Sequence, residues 1–178
     1  MFIDLLRSRR SIRKYQAKPV EPDTIDLLIE AALRAPSSRG FNPWEFVVVD
    51  DPEIIAALSR AKPHGAAFLA KAPLAIAVCG DAEKSDVWVE DVSIATILLH
   101  LAATDLGLGS CWIQLRKRNF DEKTTAGQYA ARLLGLRNGL DVSAIMAVGY
   151  PDQQPAPHPQ SDLQVDKVSF NRYGQQQP

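Results

Sequence analysis

The stretch Asp91-Val92-Ser93-Ile94-Ala95-Thr96-Ile97-Leu98-Leu99-His100-Leu101-Ala102-Ala103-Thr104-Asp105-Leu106-Gly107-Leu108-Gly109-Ser110-Cys111-Trp112 sets the frame of the chain. From Ile94 to Ala103 apolar residues fall on nearly every face of a 3.6-residue period, so a helix over residues 91–106 can show little surface to water. It is either the central core helix or part of a subunit interface. Gly107 stands where a helix C-cap is expected, and residues 110–115 read as an extended segment that follows.

Outward from this helix, strands and shorter helices alternate. Residues 73–79 and 143–149 read as buried strands, and residues 44–49, rich in β-branched and aromatic side chains, as a third. Helices are expected over 2–8, over 22–33 with Ile25, Leu28, Ile29, Ala32 and Leu33 on one face, and over about 125–134. Pro36 closes the second of these. Asp51-Pro52-Glu53 opens another, with a capping oxygen ahead of a first-turn proline. With 178 residues and 46% hydrophobic content, one well-cored domain is expected over residues 1–150. From Pro151 the composition turns to proline and glutamine, which cannot build a core. Leu163, Val165, Val168 and Phe170, followed by Tyr173, still alternate with polar residues. Residues 151–178 are therefore expected to form an extended arm that pairs with a sheet, such as that of a second subunit.

No apolar run approaches the roughly 18 residues that span a bilayer, and Met1-Phe2-Ile3-Asp4 lacks the basic-then-apolar order of a signal peptide. A soluble, cytoplasmic protein without a membrane partner is expected. Cys79 and Cys111 sit in apolar runs outside any C-x-x-C or Cys/His spacing and read as buried free thiols. His64, His100 and His158 are dispersed over a loop, the apolar helix and the tail, so neither a metal site nor a Ser-His-Asp order is expected.

The chain is nearly neutral, at −1, but its positive charge is local. Between Met1 and Lys18 six basic residues face one acid, for a net +5, centred on Arg9-Arg10-Ser11-Ile12-Arg13-Lys14-Tyr15. A nucleic acid calls for a basic stripe over much of a surface, whereas one compact cluster fits a single phosphate group. No nucleic-acid partner is expected. The competing reading is a solvated helix face of Arg7, Arg10 and Lys14. A second unusual stretch, Ala35-Pro36-Ser37-Ser38-Arg39-Gly40-Phe41-Asn42-Pro43-Trp44, delivers two hydroxyls, a guanidinium and an amide into a strand, as functional loops do, although ordinary helix–strand connections look similar. A third, Gly107-Leu108-Gly109-Ser110, lets another group approach the backbone closely, although helix capping explains Gly107 without a ligand.

In this order and at these separations, together with Val148-Gly149-Tyr150-Pro151, these stretches resemble the FMN-dependent nitroreductase family over nearly the whole chain. The resemblance implies an α+β fold, an α/β/α sandwich with a central, mainly antiparallel sheet flanked by helices and a C-terminal extended arm. It implies a homodimer with shared active sites, FMN as cofactor and NAD(P)H as electron donor. The implied reaction is ping-pong reduction of a nitroaromatic, quinone or similar small molecule. Residue by residue, it implies that Arg9, Arg10 and Ser11, with Arg13, hold the FMN phosphate. Ser37, Ser38 and Arg39 would lie beside the flavin and ribityl chain from the other subunit, with Asn42 supplying an amide. The backbone of Gly107, Leu108, Gly109 and Ser110 would lie near the isoalloxazine ring. No catalytic side chain is required, because the flavin carries the chemistry, and the missing G-x-G-x-x-G fingerprint is no objection. Phe41, Phe68 and Trp88 are candidate walls of the substrate pocket, with ordinary packing as the other reading. Two departures stand out. Gly40 occupies a position where the family often has asparagine. Where the family commonly supplies a late Lys or Arg to the phosphate stands His158, with Lys167 and Arg172 as other candidates. The same fold also serves reductive dehalogenation and oxygen-dependent flavin destruction, and a flavin-binding module without turnover is a further alternative.

Overall fold

The computed structural model describes residues 1–176. Its elements run α1 (Phe2–Ser8), α2 (Pro22–Leu33), β1 (Trp44–Val49), α3 (Pro52–Leu58), β2 (Leu74–Asp81), α4 (Trp88–Asp105), β3 (Gly109–Gln114), α5 (Ala126–Leu134) and β4 (Leu140–Gly149). The four strands make one antiparallel sheet in the order β1-β2-β4-β3. β2 and β4 are central because their sequences are apolar at consecutive positions and serve both faces.

The two-residue period of β2 sorts its side chains between two cores. Leu74, Ile76 and Val78 pack with Leu28, Ala32, Leu99 and Met146 under α2 and α4. Ala75, Ala77 and Cys79 pack on the other face with Ile55, Leu58, Leu69 and Ile145 under α3 and α5. Full burial of each large aliphatic side chain contributes about 1.5–3 kcal/mol, so the two layers hold the sheet between them as an α/β/α sandwich. α3 is capped by Asp51, whose carboxylate accepts from the backbone of Glu53 and Ile54. α5 opens on a reciprocal Thr125–Gln128 capping box.

The larger departures from the sequence expectation are at α4, β4 and the tail. α4 begins at Trp88 rather than Asp91, so Trp88 belongs to a helix and not to a loop. β4 begins at Leu140 rather than Ser143, and an irregularity at Val78/Cys79 absorbs the change of register against β2. The tail forms no strand among the described residues. It has short 3-10 turns at Gln160–Asp162 and Val165–Lys167, with Leu163, Val165 and Val168 exposed. Tyr15 pairs with Pro151 where the tail leaves the sheet, and the prolines beyond offer no N–H donors to a ladder. α4 meets both expectations in part: Val92, Ala95, Leu99 and Ala103 are core, while Ile94 and Ile97 remain about 40% exposed. No helix among the described residues is long and apolar enough to cross a membrane.

Candidate functional site at the edge of β3

The N-terminal basic segment lies along the free edge of β3. Ile12 N donates to Ser110 O at 2.9 Å, Gln16 N to Tyr150 O at 2.9 Å and Asp152 N to Lys14 O at 2.9 Å. Ser11 bridges Ser110, and the buried Tyr15 hydroxyl donates to Ile12 O at 2.5 Å. Gly109 is required here, because a Cβ at that position would stand 2.7 Å from Ile12 Cβ. The segment is thus fixed by its backbone and by the buried Ile12 and Tyr15, while Arg13 and Lys14 face outward.

Its three arginines have different neighbours. Arg9 reaches His100 Nε2 at 2.9 Å. Arg10 lines a recess of about 150 Å³ with Ile12, Leu108, Gly109 and Pro151. Arg13 stands 5.8 Å from the Phe68 ring centroid. None of the three has a carboxylate partner among the described residues.

Across from this segment Lys62 donates to Gln114 O at 3.0 Å. Burial, then the charge of Arg118, holds its ammonium below the ordinary lysine range. The antiparallel ladder turns the backbone of alternate residues away from β4. Ser110 O is taken by Ile12 and Gln114 O by Lys62, and Trp112 lies between them on the same side. Beneath, burial raises the Cys111 thiol while Arg13, the Ser11 hydroxyl, Lys62 and Arg9 pull it down. The outer edge of β3 thus carries cationic side chains along it, the arginines of the basic segment by Ser110 and Lys62 by Gln114. Chemically it can hold a flat heterocycle along the backbone and an anionic group at its arginine end.

The Ser37–Asn42 loop is built differently. Asn42 N donates to Ser37 Oγ at 2.8 Å, and that hydroxyl donates to Asn42 Oδ1 at 2.7 Å. Ser38 N donates to Asp91 Oδ1 at 2.8 Å, and Ser85 Oγ to Asp91 Oδ2 at 3.1 Å. Asp91 is buried in the first turn of α4, so it pins the loop to that helix end. Arg39, Gly40 and Asn42 all have positive φ, and Gly40 at +69° meets nothing that a side chain would strike. Glycine or asparagine is suited to that conformation, which accounts for the exchange with the family's usual residue. Arg39 is ion-paired with Asp86 and stacks 4.7 Å from the Phe41 ring.

The remaining candidates scatter. Phe68 is half-buried beside Arg13, Phe41 is exposed at 45%, and Trp88 lies at the start of α4 facing Arg116. Gly107 is in the exposed turn after α4, whereas Leu108, Gly109 and Ser110 are buried. His158 sits 3.8 Å from Asp162, and Lys167 and Arg172 lie in the exposed tail. Sequence reasoning missed Lys62, Gln114 and Asp91. It dismissed His100, although a polar residue in so apolar a helix signals a partner.

Comparison with known proteins identifies the family. The sequence model described as the nitroreductase family matches residues 6–64 and 59–150. A solved structure of an FMN-dependent nitroreductase from Clostridium difficile is 45% identical over 96% of this chain and 99% of its own, and superposes with a TM-score of 0.94. An Archaeoglobus fulgidus protein, provisionally named NADH dehydrogenase/NAD(P)H nitroreductase, is 35% identical over 85% of this chain and 86% of its own. An iodotyrosine deiodinase from Thermotoga neapolitana is 26% identical over 96% of this chain and 99% of its own. The chain belongs to the nitroreductase family of oxidoreductase enzymes.

Proposed function

We propose that this enzyme binds FMN, takes reducing equivalents from NAD(P)H, and reduces a nitroaromatic, quinone or similar acceptor by a ping-pong mechanism. The observation that carries the reading is the β3 edge, whose donor set fits FMN: guanidiniums without acid partners among the described residues by Ser110, and Lys62 by Gln114. Bound FMN supplies the redox chemistry, and the protein supplies binding, orientation and electrostatics. Arg9, Arg13 and the Ser11 hydroxyl, with Arg10 behind them, hold the phosphate; charge-assisted bonds of this kind contribute about 1.5–3 kcal/mol each. The β3 backbone around Trp112 orients the ring edge, and Lys62 stabilises negative charge that develops there.

The Ser37–Asn42 loop serves the same site from a second copy. Within one chain the loop is tied to Asp91 and the basic segment to His100. Nine residues of helix separate those anchors, about 13 Å along the axis. An apolar groove of about 610 Å³ lined by Phe2, Leu5, Ala31, Leu98 and Ala102, together with the open Ile94 and Ile97, gives the second copy a surface to cover. The arm over residues 151–178 packs on that copy. Light scattering is expected to report a dimer with flavin bound; a monomer that retains flavin overturns the shared site.

The test of the reaction is the visible spectrum of the purified protein before and after anaerobic NADPH and then NADH. A flavin spectrum that bleaches supports it, and a colourless protein that takes up no added FMN overturns it. Reductive dehalogenation is the second reading, favoured by the likeness to the deiodinase. Halide release from a halogenated tyrosine, set against turnover of nitroaromatics and quinones, decides between them.

A further inference from the structure

His100 is the one ionisable residue between Ile94 and Ala103, and it is 4% exposed. Its Nε2 lies 2.9 Å from Arg9 Nη1, and its Nδ1 lies 2.5 Å from Ser110 Oγ. A guanidinium has five N–H donors and no acceptor, so Nε2 must accept. A ring nitrogen that accepts carries no proton. The proton of the neutral imidazole is therefore on Nδ1 and is donated to Ser110 Oγ. Burial, then the charge of Arg9, pushes the His100 pKa down to about 4, in keeping with a neutral ring at physiological pH.

Both ends of this chain of bonds lead to the basic segment. Ser110 is 1% exposed, its carbonyl accepts from Ile12 N, and it bridges Ser11. The imidazole thus ties the Arg9 guanidinium to the strand residue on which the Ser11 backbone rests. The bond uses Nη1 and leaves the Nε–Nη2 edge, which forms two parallel bonds to a phosphate. An arginine side chain otherwise has several free torsions to fix when a ligand binds.

We propose that His100 is a positioning residue for the cofactor's phosphate: in its Nδ1–H form it locks Arg9 against Ser110 and presents the free guanidinium edge to a phosphate monoester. This rests on the FMN reading above. It identifies a buried side chain that touches no ligand and yet sets the phosphate contribution to affinity.

The test compares FMN with riboflavin, which lacks the phosphate, by fluorescence titration of the full chain. His100→Leu is expected to weaken FMN roughly tenfold, the size of one charge-assisted bond, and to leave riboflavin unchanged. His100→Gln places an amide oxygen near the Nε2 position and is expected to restore FMN affinity; His100→Asn, too short to reach Arg9, is not. Arg9→Ala separates the two readings. If Arg9→Ala weakens FMN while His100→Leu does not, the positioning role fails alone. If Arg9→Ala leaves FMN affinity unchanged, the phosphate reading of Arg9 fails and takes the positioning role with it. Equal losses for FMN and riboflavin in His100→Leu also overturn the proposal. Nitrogen-15 NMR of the wild-type imidazoles requires no variant: a protonated Nδ1 with a bare Nε2 is expected, and the opposite tautomer or an imidazolium at neutral pH overturns it.

Discussion

Two stretches of this chain set arginine beside serine, and the fold treats them in opposite ways. Residues 9–13 are fixed through their backbone, by Ile12 on Ser110 and by neighbouring ladder contacts, and their guanidiniums lack acid partners among the described residues. Residues 37–42 are fixed through side chains, by Asp91 on Ser38 and by Ser37 on Asn42, and their guanidinium is already paired with Asp86. A cation with no acid beside it keeps its attraction for an incoming anion, whereas a paired one has largely lost it. The first stretch therefore offers charge, and the second offers shape and backbone donors.

Removing the anchor of the second stretch is expected to have the largest effect. Asp91→Ala leaves the Ser38 N–H and the Ser85 hydroxyl without their buried acceptor and costs about 3 kcal/mol, or several degrees in Tm. Urea unfolding measures it. The comparison breaks if the loss stays below about 1 kcal/mol, since the loop would then be held by its own turns.

A similar magnitude belongs to the first stretch and appears only in acid. His100 has its folded pKa depressed from 6.5 to about 4, so between those values the unfolded chain binds the extra proton. Stability is complete above pH 6.5 and falls as pH drops through that window, by about 3 kcal/mol from this group, with no further loss from it below about pH 4. The difference between wild type and His100→Gln across pH 7 to 4 isolates the term from the carboxylates, and parallel curves would show that His100 is not held neutral.

A third change acts on the register of the first stretch. In Gly109→Ala the new methyl meets the branched, buried Ile12 at 2.7 Å, so the backbone of residues 11–13 must shift. A cost of about 1–3 kcal/mol is expected, with weaker FMN binding at unchanged helix content. Retained affinity in a destabilised variant would uncouple the edge segment from the cofactor.

The same comparison shows what was legible in the sequence. The strands of the central sheet and the capping signal at Asp51 are local, and they could be read to within a few residues. α4 was legible as a helix, but its apolar residues encircle it, so nothing local distinguishes the open Ile94–Ile97 face from the buried one. The arginine cluster was legible as charge and not as direction. Where Arg9, Arg10 and Arg13 point is set by the contact of Ile12 with Gly109, far along the chain. Lys62 and Asp91 reach their places through tertiary packing and carry no spacing signal. His100 announced that it needed a partner without saying which. The alternation at Leu163–Phe170 is present as a pattern, but a strand also needs an edge to pair with, and the tail forms 3-10 turns instead of pairing with an edge of its own sheet.

The smallest expected effect is the sharpest test of the contrast. Arg39 is more than half exposed, and its partners, Asp86 and the Phe41 ring, are at the surface too. Exposed pairs of this kind contribute under about 1 kcal/mol, because solvent screens the attraction and both side chains lose freedom. Arg39→Ala is therefore expected to change stability little and to leave the FMN-to-riboflavin affinity ratio at its wild-type value, since Asp86 already neutralises the charge. Arg13→Ala, which removes a cation that no acid offsets, is expected to lower that ratio. If the two variants lower it equally, the pairing with Asp86 does not persist in the assembled enzyme, and the loop contributes charge after all.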